Sequence, residues 1–351
     1  MRLWHRAWAL VSVAPVLFAC GDATGPGGVA GADIAFAIWG SVASRGLYIQ
    51  SIDSGSSAVA MELDRGVTWL DWSPDGESIA YSMAGGTIRV VAVEDKERAY
   101  ALLPSGGASG DFLDWSPDGT WIAYAHDYAL WIVEASGGTP KNVSQHDAAD
   151  ITSPEWSPDG TRILYEWGNG LLWIADANGT TDQRVPIHSA GDMPDRYGSW
   201  GYGPRWSPDG QRIVYHNHGV WTVASDGSDR RAVTPNCDDS GACGIDGYYF
   251  SAQWSPSGTR LVFSGRDHQD AEVTRIYIVD VDGTGFRSLT DGNVDEDPQW
   301  SPDESLILFS RTYGWGKHQL RVIRPDGTGE RAVTPGSHWH ALPRWRPRPG
   351  K

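Results

Sequence analysis

Basic residues are scarce in this chain. Its 28 Lys and Arg are outnumbered by 44 Asp and Glu, which leaves a formal net charge of −16. A surface of that sign repels phosphate backbones and anionic headgroups, which argues against nucleic-acid binding. Cysteine is scarcer still, with three in 351 residues, too few for a disulfide-dense scaffold. No Gly-x-Ser-x-Gly segment occurs, so the strand-turn-helix elbow of a serine hydrolase domain is absent. No apolar run is long enough to cross a bilayer as a helix. The longest candidate, Ala7 to Phe18, is too short.

Glycine and tryptophan are what the chain has in quantity: 43 Gly and 19 Trp. That mixture suits many short strands joined by tight turns and wedged by aromatics. Trp72, Trp115, Trp156, Trp206, Trp254 and Trp300 each open a Ser-Pro segment, and Trp345-Arg346-Pro347 is a decayed further copy. Their spacings of 43, 41, 50, 48, 46 and 45 residues match one four-stranded propeller blade per repeat. After each Asp-Gly turn comes a β-rich run such as TRILYEW, then a second such as LLWIADA, then a polar third such as RRAVTP. Proline presets the turn and glycine tolerates positive φ. The anchor tryptophans are expected to wedge between blades, with Trp131, Trp173 and Trp221 also in the core.

Counting copies predicts an all-β, seven-bladed propeller in a single domain over residues 33–351. Residues 33–63 supply three strands and the C-terminal HALPRWRP supplies the fourth, which would lock the ring and leave no open edge. A six-bladed ring is the alternative. The repeats resemble the WD40-like, TolB-type propeller repeats (PD40), on the strength of the Trp-Ser-Pro-Asp-Gly anchors. The resemblance implies the fold rather than a function. It departs from TolB proper in lacking an α/β domain and in its blade count, so TolB's partnership with a peptidoglycan-associated lipoprotein does not carry over.

The N-terminus reads as a targeting segment over residues 1–19. Arg2 and Arg6 form its basic region, and Leu17-Phe18-Ala19-Cys20 resembles the lipobox of bacterial lipoproteins. That resemblance implies cleavage before Cys20 and diacylation of its thiol. Residues 20–32 would then form a Gly-rich tether. Asp22 stands two places after Cys20, so the usual inner-membrane retention signal is missing and outer-membrane residence is expected. Cys237 and Cys243 share one loop and are expected to form a disulfide in an oxidising compartment. A metal pair is the alternative, though no further ligands of suitable spacing stand nearby.

Function is expected on the face where the repeats diverge. The crossovers before Trp206 and Trp254 are the longest, and they offer Tyr197, Trp200, Tyr202, Tyr248 and Tyr249 as contact residues. Arg205, Arg311, Trp315, His318, His338, His340 and Arg344 complete the candidate binding set. All nine histidines after His5 fall on this face; regular strands and turns excluding histidine would produce the same distribution. The residues just before each anchor are Asp71, Asp114, Glu155, Arg205, Gln253, Gln299 and Arg344. They would either line a central channel or pair with the backbone of the neighbouring blade. The acidic string from Asp291 to Asp297 offers hard oxygen ligands without the spacing of an EF-hand.

Two functions compete on this reading. The first is a cell-envelope lipoprotein, expected to be a monomer, that binds or scaffolds an envelope protein or glycan and holds no cofactor. The second is a metal-dependent polysaccharide lyase similar to the oligogalacturonate lyases. It would draw a divalent metal site from His216, His218, His268, His318, His338 and His340, and sugar-binding charge from Arg205, Arg266, Arg311 and Arg344.

Overall fold

Alternating β-branched and aromatic runs between glycine turns give strands and nothing else: no helix occurs among the described residues. The computed structural model describes residues 33–348 apart from 40–44, 53–57, 64–65, 96–98, 104–111, 146–149, 169, 188–202, 218, 235–248, 268–269, 292–293, 315–316 and 336–338. The signal segment, Cys20, the tether and the Cys237/Cys243 pair lie outside the described residues.

The strands run in order as β1 (Asp33–Trp39), β2 (Gly46–Ser51) and β3 (Val59–Leu63), then β4 (Val67–Trp72), β5 (Ser78–Met83), β6 (Thr87–Ala92) and β7 (Tyr100–Leu103). Next come β8 (Leu113–Trp115), β9 (Trp121–His126), β10 (Ala129–Glu134) and β11 (Lys141–Asn142), followed by β12 (Ile151–Trp156), β13 (Arg162–Trp167), β14 (Leu171–Asp176) and β15 (Asp182–Arg184). After them stand β16 (Arg205–Trp206), β17 (Arg212–His216), β18 (Val220–Ala224) and β19 (Arg231–Ala232). The C-terminal third holds β20 (Tyr249–Trp254), β21 (Arg260–Asp267), β22 (Asp270–Asp280) and β23 (Arg287–Ser288). It ends with β24 (Val294–Trp300), β25 (Ile307–Thr312), β26 (His318–Ile323), β27 (Arg331–Ala332) and β28 (Trp339–Trp345).

β4–β7, β8–β11, β12–β15 and β16–β19 are four-stranded antiparallel meanders. β20–β23 and β24–β27 repeat the pattern, and a single parallel pair, Thr274 with Val294, links these two. β28 pairs antiparallel with β1, so the last strand completes the sheet that begins with β1–β3. The β21–β22 hairpin is the longest of the set and its pairing reaches Asp267 and Asp270. The fourth strand of most units is short and exposed, which leaves little flat edge for another chain to pair with.

Each anchor tryptophan packs into a core shared with the preceding sheet. Trp156 lies with Ala123 and Ile132 behind it and Ile163 and Tyr165 ahead. Trp206 sits between Leu164 and Ile213 in the same way, and Trp345 between Leu308 and Ile34. Burying one such side chain stabilises the seam by about 2–3 kcal/mol. Arg162 and Arg260 lie over the rings of Trp206 and Trp300, at 4.7 and 4.8 Å.

The Ser-Pro-Asp-Gly turn owes its recurrence to a closed set of hydrogen bonds. At the first copy the Ser73 hydroxyl donates to Asp75 Oδ1 (2.6 Å), and the Ser78 amide donates to Ser73 Oγ (2.9 Å). The Gly76 amide donates to the Ser73 carbonyl (2.8 Å) with φ of 70°. Ser116/Asp118, Ser157/Asp159, Ser207/Asp209 and Ser301/Asp303 repeat the hydroxyl-to-carboxylate bond. Where Glu304 replaces the glycine, its φ is 59°, a left-handed conformation that costs a side chain about 1 kcal/mol. Its carboxylate offsets that cost by accepting from the Ser257 amide and from Arg260 of the preceding unit. Gly227, in an Asp-Gly hairpin turn, is fixed for a further reason: a Cβ there would stand 2.2 Å from Pro186 Cδ.

Candidate functional site

The first strand of each unit touches the first strand of its neighbours: β4 meets β8, β8 meets β12, β12 meets β16, β16 meets β20 and β20 meets β24. β28 touches both β24 and β4. The residue before each anchor tryptophan sits on these strands. In that order the side chains are Asp71, Asp114, Glu155, Arg205, Gln253, Gln299 and Arg344, and each keeps part of its surface open to solvent. Three carboxylates thus stand in a row, flanked by an arginine at either end.

Each carboxylate does a structural job as well. Asp71 Oδ2 accepts the backbone N–H of Trp115 (3.2 Å), Asp114 Oδ2 that of Trp156 (2.6 Å) and Glu155 Oε2 that of Trp206 (2.8 Å). Every bond crosses to the next unit. On this arc the expected pairing with neighbouring backbone is found, and the three side chains keep part of their surface open to solvent. At three of the other four seams the indole makes the crossing bond. Trp254 Nε1 donates to the Arg205 carbonyl (3.2 Å), Trp345 Nε1 to that of Gln299 (3.1 Å) and Trp72 Nε1 to that of Arg344 (3.3 Å).

Burial dominates the electrostatics of the arc. It pushes the Asp71 carboxyl upward against the pull of Arg344 and Arg205. Asp114 is raised well above the usual carboxylate range, first by burial and then by Asp71 and Glu155 on either side. Burial likewise lifts Glu155 to about 7, with Arg205 opposing. Arg344 also lies over the Trp69 ring, 4.7 Å from its centroid.

A bulge sets which other residues share this face of the first strands. Ser153, Ser251, Asp297 and Leu342, each three residues before an anchor, have φ between 52° and 59°. The strand registers slip at the same places. One extra residue turns the usual two-residue face period into three, so the residue four before the anchor shares the face of the one just before it. Thr152, Phe250 and Glu296 are placed this way and stay partly exposed. Burial pushes Glu296 to about 7, Asp297 and Asp295 add to that, and Arg266 opposes. Sequence reasoning missed this tier by assuming an unbroken strand. The available signal was proline directly after the bulged residue, at Pro154, Pro298 and Pro343.

The sequence profile of the TolB beta propeller domain (PD40) matches residues 168–348, just over half of the chain. The chain belongs to this family. Within curated proteins, the TolB of Rhizorhabdus wittichii is 42% identical over 59 residues, which cover 16% of this chain and 13% of that protein. The chain therefore spans a small part of this relative's length. Among solved structures, TolB from Acinetobacter baumannii superposes with a TM-score of 0.58 at 14% identity, covering 90% of this chain and 67% of that one. An oligogalacturonate lyase in complex with manganese superposes at 0.62 and 17% identity, covering 84% of each chain. At such identities these structures share the fold, and they carry no more than that.

Within this TolB-type frame the expected binding residues scatter. Tyr197, Trp200, Tyr202, Tyr248, Trp315 and His338 lie outside the described residues. Arg205 and Arg344 stand just before their anchor tryptophans on β16 and β28 and are partly exposed. Tyr249 is buried, edge-on to Phe263 and Tyr277 at 5.3 and 5.9 Å. Arg311 is buried too, and its guanidinium is committed to both oxygens of Asp295 (2.6 and 2.8 Å) and to Glu330 (2.6 Å). This ion-pair cluster also claims Asp295 out of the acidic string from Asp291 to Asp297.

His318 and His340 do come together. His340 Nδ1 donates to the His318 carbonyl (2.8 Å), and the ring packs on Phe36. Burial, with His340 adding, pushes His318 down to about 4. His216 is likewise lowered by burial. Among the described residues no three His, Cys, Asp or Glu side chains form a group that could hold a metal ion; His218, His268 and His338 lie outside those residues.

Proposed function

We propose that this chain is an exported binding module, a seven-bladed TolB-type propeller that engages an envelope protein or glycan through its variable face and central channel. The inner lining carries the reading. Arg344, Asp71, Asp114, Glu155, Arg205, Gln253 and Gln299 converge from successive first strands, and such a set orients a polar ligand by charge and amide contacts. Seven four-stranded units, the pairing of β28 with β1 and the contacts of β28 with β4 and β24 support the closed ring. Cleavage before Cys20 and its lipidation would tether the monomeric propeller to the outer membrane, and a Cys237–Cys243 disulfide would brace the crossover before Trp254. The family of repeats is compatible with export.

The test is photo-crosslinking in intact cells from Thr152 and Gln253, two partly exposed lining positions. An adduct with an envelope protein or glycan that weakens in Arg205→Gln is expected. No adduct, together with metal-dependent cleavage of oligogalacturonate by the purified protein, would replace this reading with the lyase one.

A further inference from the structure

The row of carboxylates at Asp71, Asp114 and Glu155 is built against its own charge. All three accept a backbone N–H from the next unit, and that bond favours the ionised acceptor. Yet Asp114 sits on β8 between β4 and β12, which bring it Asp71 on one side and Glu155 on the other. The charges that face this row are Arg344 from β28, beside Asp71, and Arg205 from β16, which acts on all three carboxylates. Two guanidiniums cannot neutralise three carboxylates, and Asp114, in the middle, has no arginine of its own. The adjoining lining residues, Gln253 and Gln299, carry no charge.

At the three acidic seams the crossing bond runs through the carboxylate. Where a carboxylate takes the backbone N–H, the anchor indole finds no acceptor: Trp115, Trp156 and Trp206 all have a buried Nε1 without a hydrogen-bond partner. Trp72, Trp254 and Trp345, reached from Arg344, Arg205 and Gln299, use the indole instead, while Trp300, reached from Gln253, shares the unpartnered buried Nε1 of the acidic seams. The three acidic seams therefore depend for their crossing bond on groups whose charge is disfavoured where they stand.

We propose that Asp114, with Glu155, is a proton-holding switch: one proton shared along the Asp71–Asp114–Glu155 row keeps the three acidic seams closed, and its loss above neutral pH loosens them. A neutral carboxyl still accepts through its carbonyl oxygen, so protonation keeps the crossing bond and removes the repulsion. The expected sense follows from linkage. A carboxyl whose folded pKa lies above its unfolded value contributes stability that is complete below the unfolded pKa and lost as pH rises through the folded one. For Glu155 that window runs from the ordinary glutamate value near 4.5 up to about 7. His318 and His216, lowered by burial, act in the opposite direction, and Glu296 acts in the same direction from a separate place.

The difference between wild type and a neutral isostere isolates the row from those other groups. Thermal unfolding of the full mature chain would be followed from pH 5 to pH 9 for wild type, Asp114→Asn, Glu155→Gln and, as a control off the row, Glu296→Gln. Asp114→Asn is expected to melt above wild type at pH 8 to 9, and the gain should shrink away toward pH 5. Glu155→Gln should follow the same course, with its gain full above about pH 7 and shrinking away toward pH 4.5, and it serves if Asp114→Asn fails to fold. A gain in Asp114→Asn should also shrink the gain from a second Glu155→Gln change, whereas Glu296→Gln should add independently. Melting shifts that do not vary with pH, or losses at pH 8 in both row variants, would overturn the proposal.

Discussion

Carboxylates occur in two repeating places in this molecule, and the two behave oppositely. On the turns, Asp118, Asp159 and Asp209 are held below the usual aspartate range, Asp159 at about 2, because a serine hydroxyl and backbone amides donate to them at the protein surface. On the inner strands, Asp71, Asp114 and Glu155 also accept hydrogen bonds, yet they are raised by burial and by one another. Residue type and even hydrogen bonding are shared between the two sets. Burial and the sign of the neighbours decide the outcome. The turns therefore gain from ionised aspartate at ordinary pH, and the inner arc gains from a proton.

The largest effect should come from the wedge that joins the two places. Trp206 has its amide held by Glu155 and opens the Ser207 turn. Trp206→Ala is expected to cost roughly 3–5 kcal/mol, read by chemical denaturation. A loss below about 1 kcal/mol would mean that the seam does not rest on the wedge.

Next in size is Ser157→Ala, which removes the main donor to Asp159 and the acceptor for the Arg162 amide. It should cost about 1–2 kcal/mol near pH 7. Asp159 is depressed to about 2, so its contribution is complete above the ordinary value of 3.8 and lost as pH falls toward 2. The deficit of Ser157→Ala should narrow over that acid window, and a deficit constant down to pH 2 would separate it from Asp159.

The sharpest contrast is one substitution made in both places. At pH 8, Asp159→Asn should destabilise by about 1 kcal/mol, a figure already reduced for solvent screening. Asp114→Asn should stabilise under the same conditions, and equal signs would erase the distinction drawn here. The smallest effect is expected at Glu304. Glu304→Gly relieves a left-handed backbone but loses the contacts to Ser257 and Arg260, so the two should cancel to within about 0.5 kcal/mol. Glu304→Ala loses the contacts and keeps the strain, and should melt below both.

Much of this was legible in the sequence. The anchors at Trp72 through Trp345 announce the repeat, and Ser-Pro-Asp-Gly announces a turn whose bonds are all local, between residues at most five apart. The placing of Asp71, Asp114 and Glu155 on the first strand of each unit also followed from their position before each anchor. Glu296 and Thr152 were not placed, because a bulge shifts the facing period by one residue and leaves only a proline as its trace. Tyr249 and Arg311 read as contact residues, since an aromatic in a long crossover and an arginine at a strand end look alike whether they meet a partner or a neighbouring strand.

The sequence by itself determined the strand pattern, the turns and the wedge positions, because each depends on residues adjacent along the chain. Only the tertiary structure decided which carboxylates stand side by side. Asp71, Asp114 and Glu155 are separated by more than forty residues at each step, and their mutual repulsion and the distance to Arg205 and Arg344 arise from packing one unit against the next. Protonation depends on those distances and on burial, and neither is written in a local pattern.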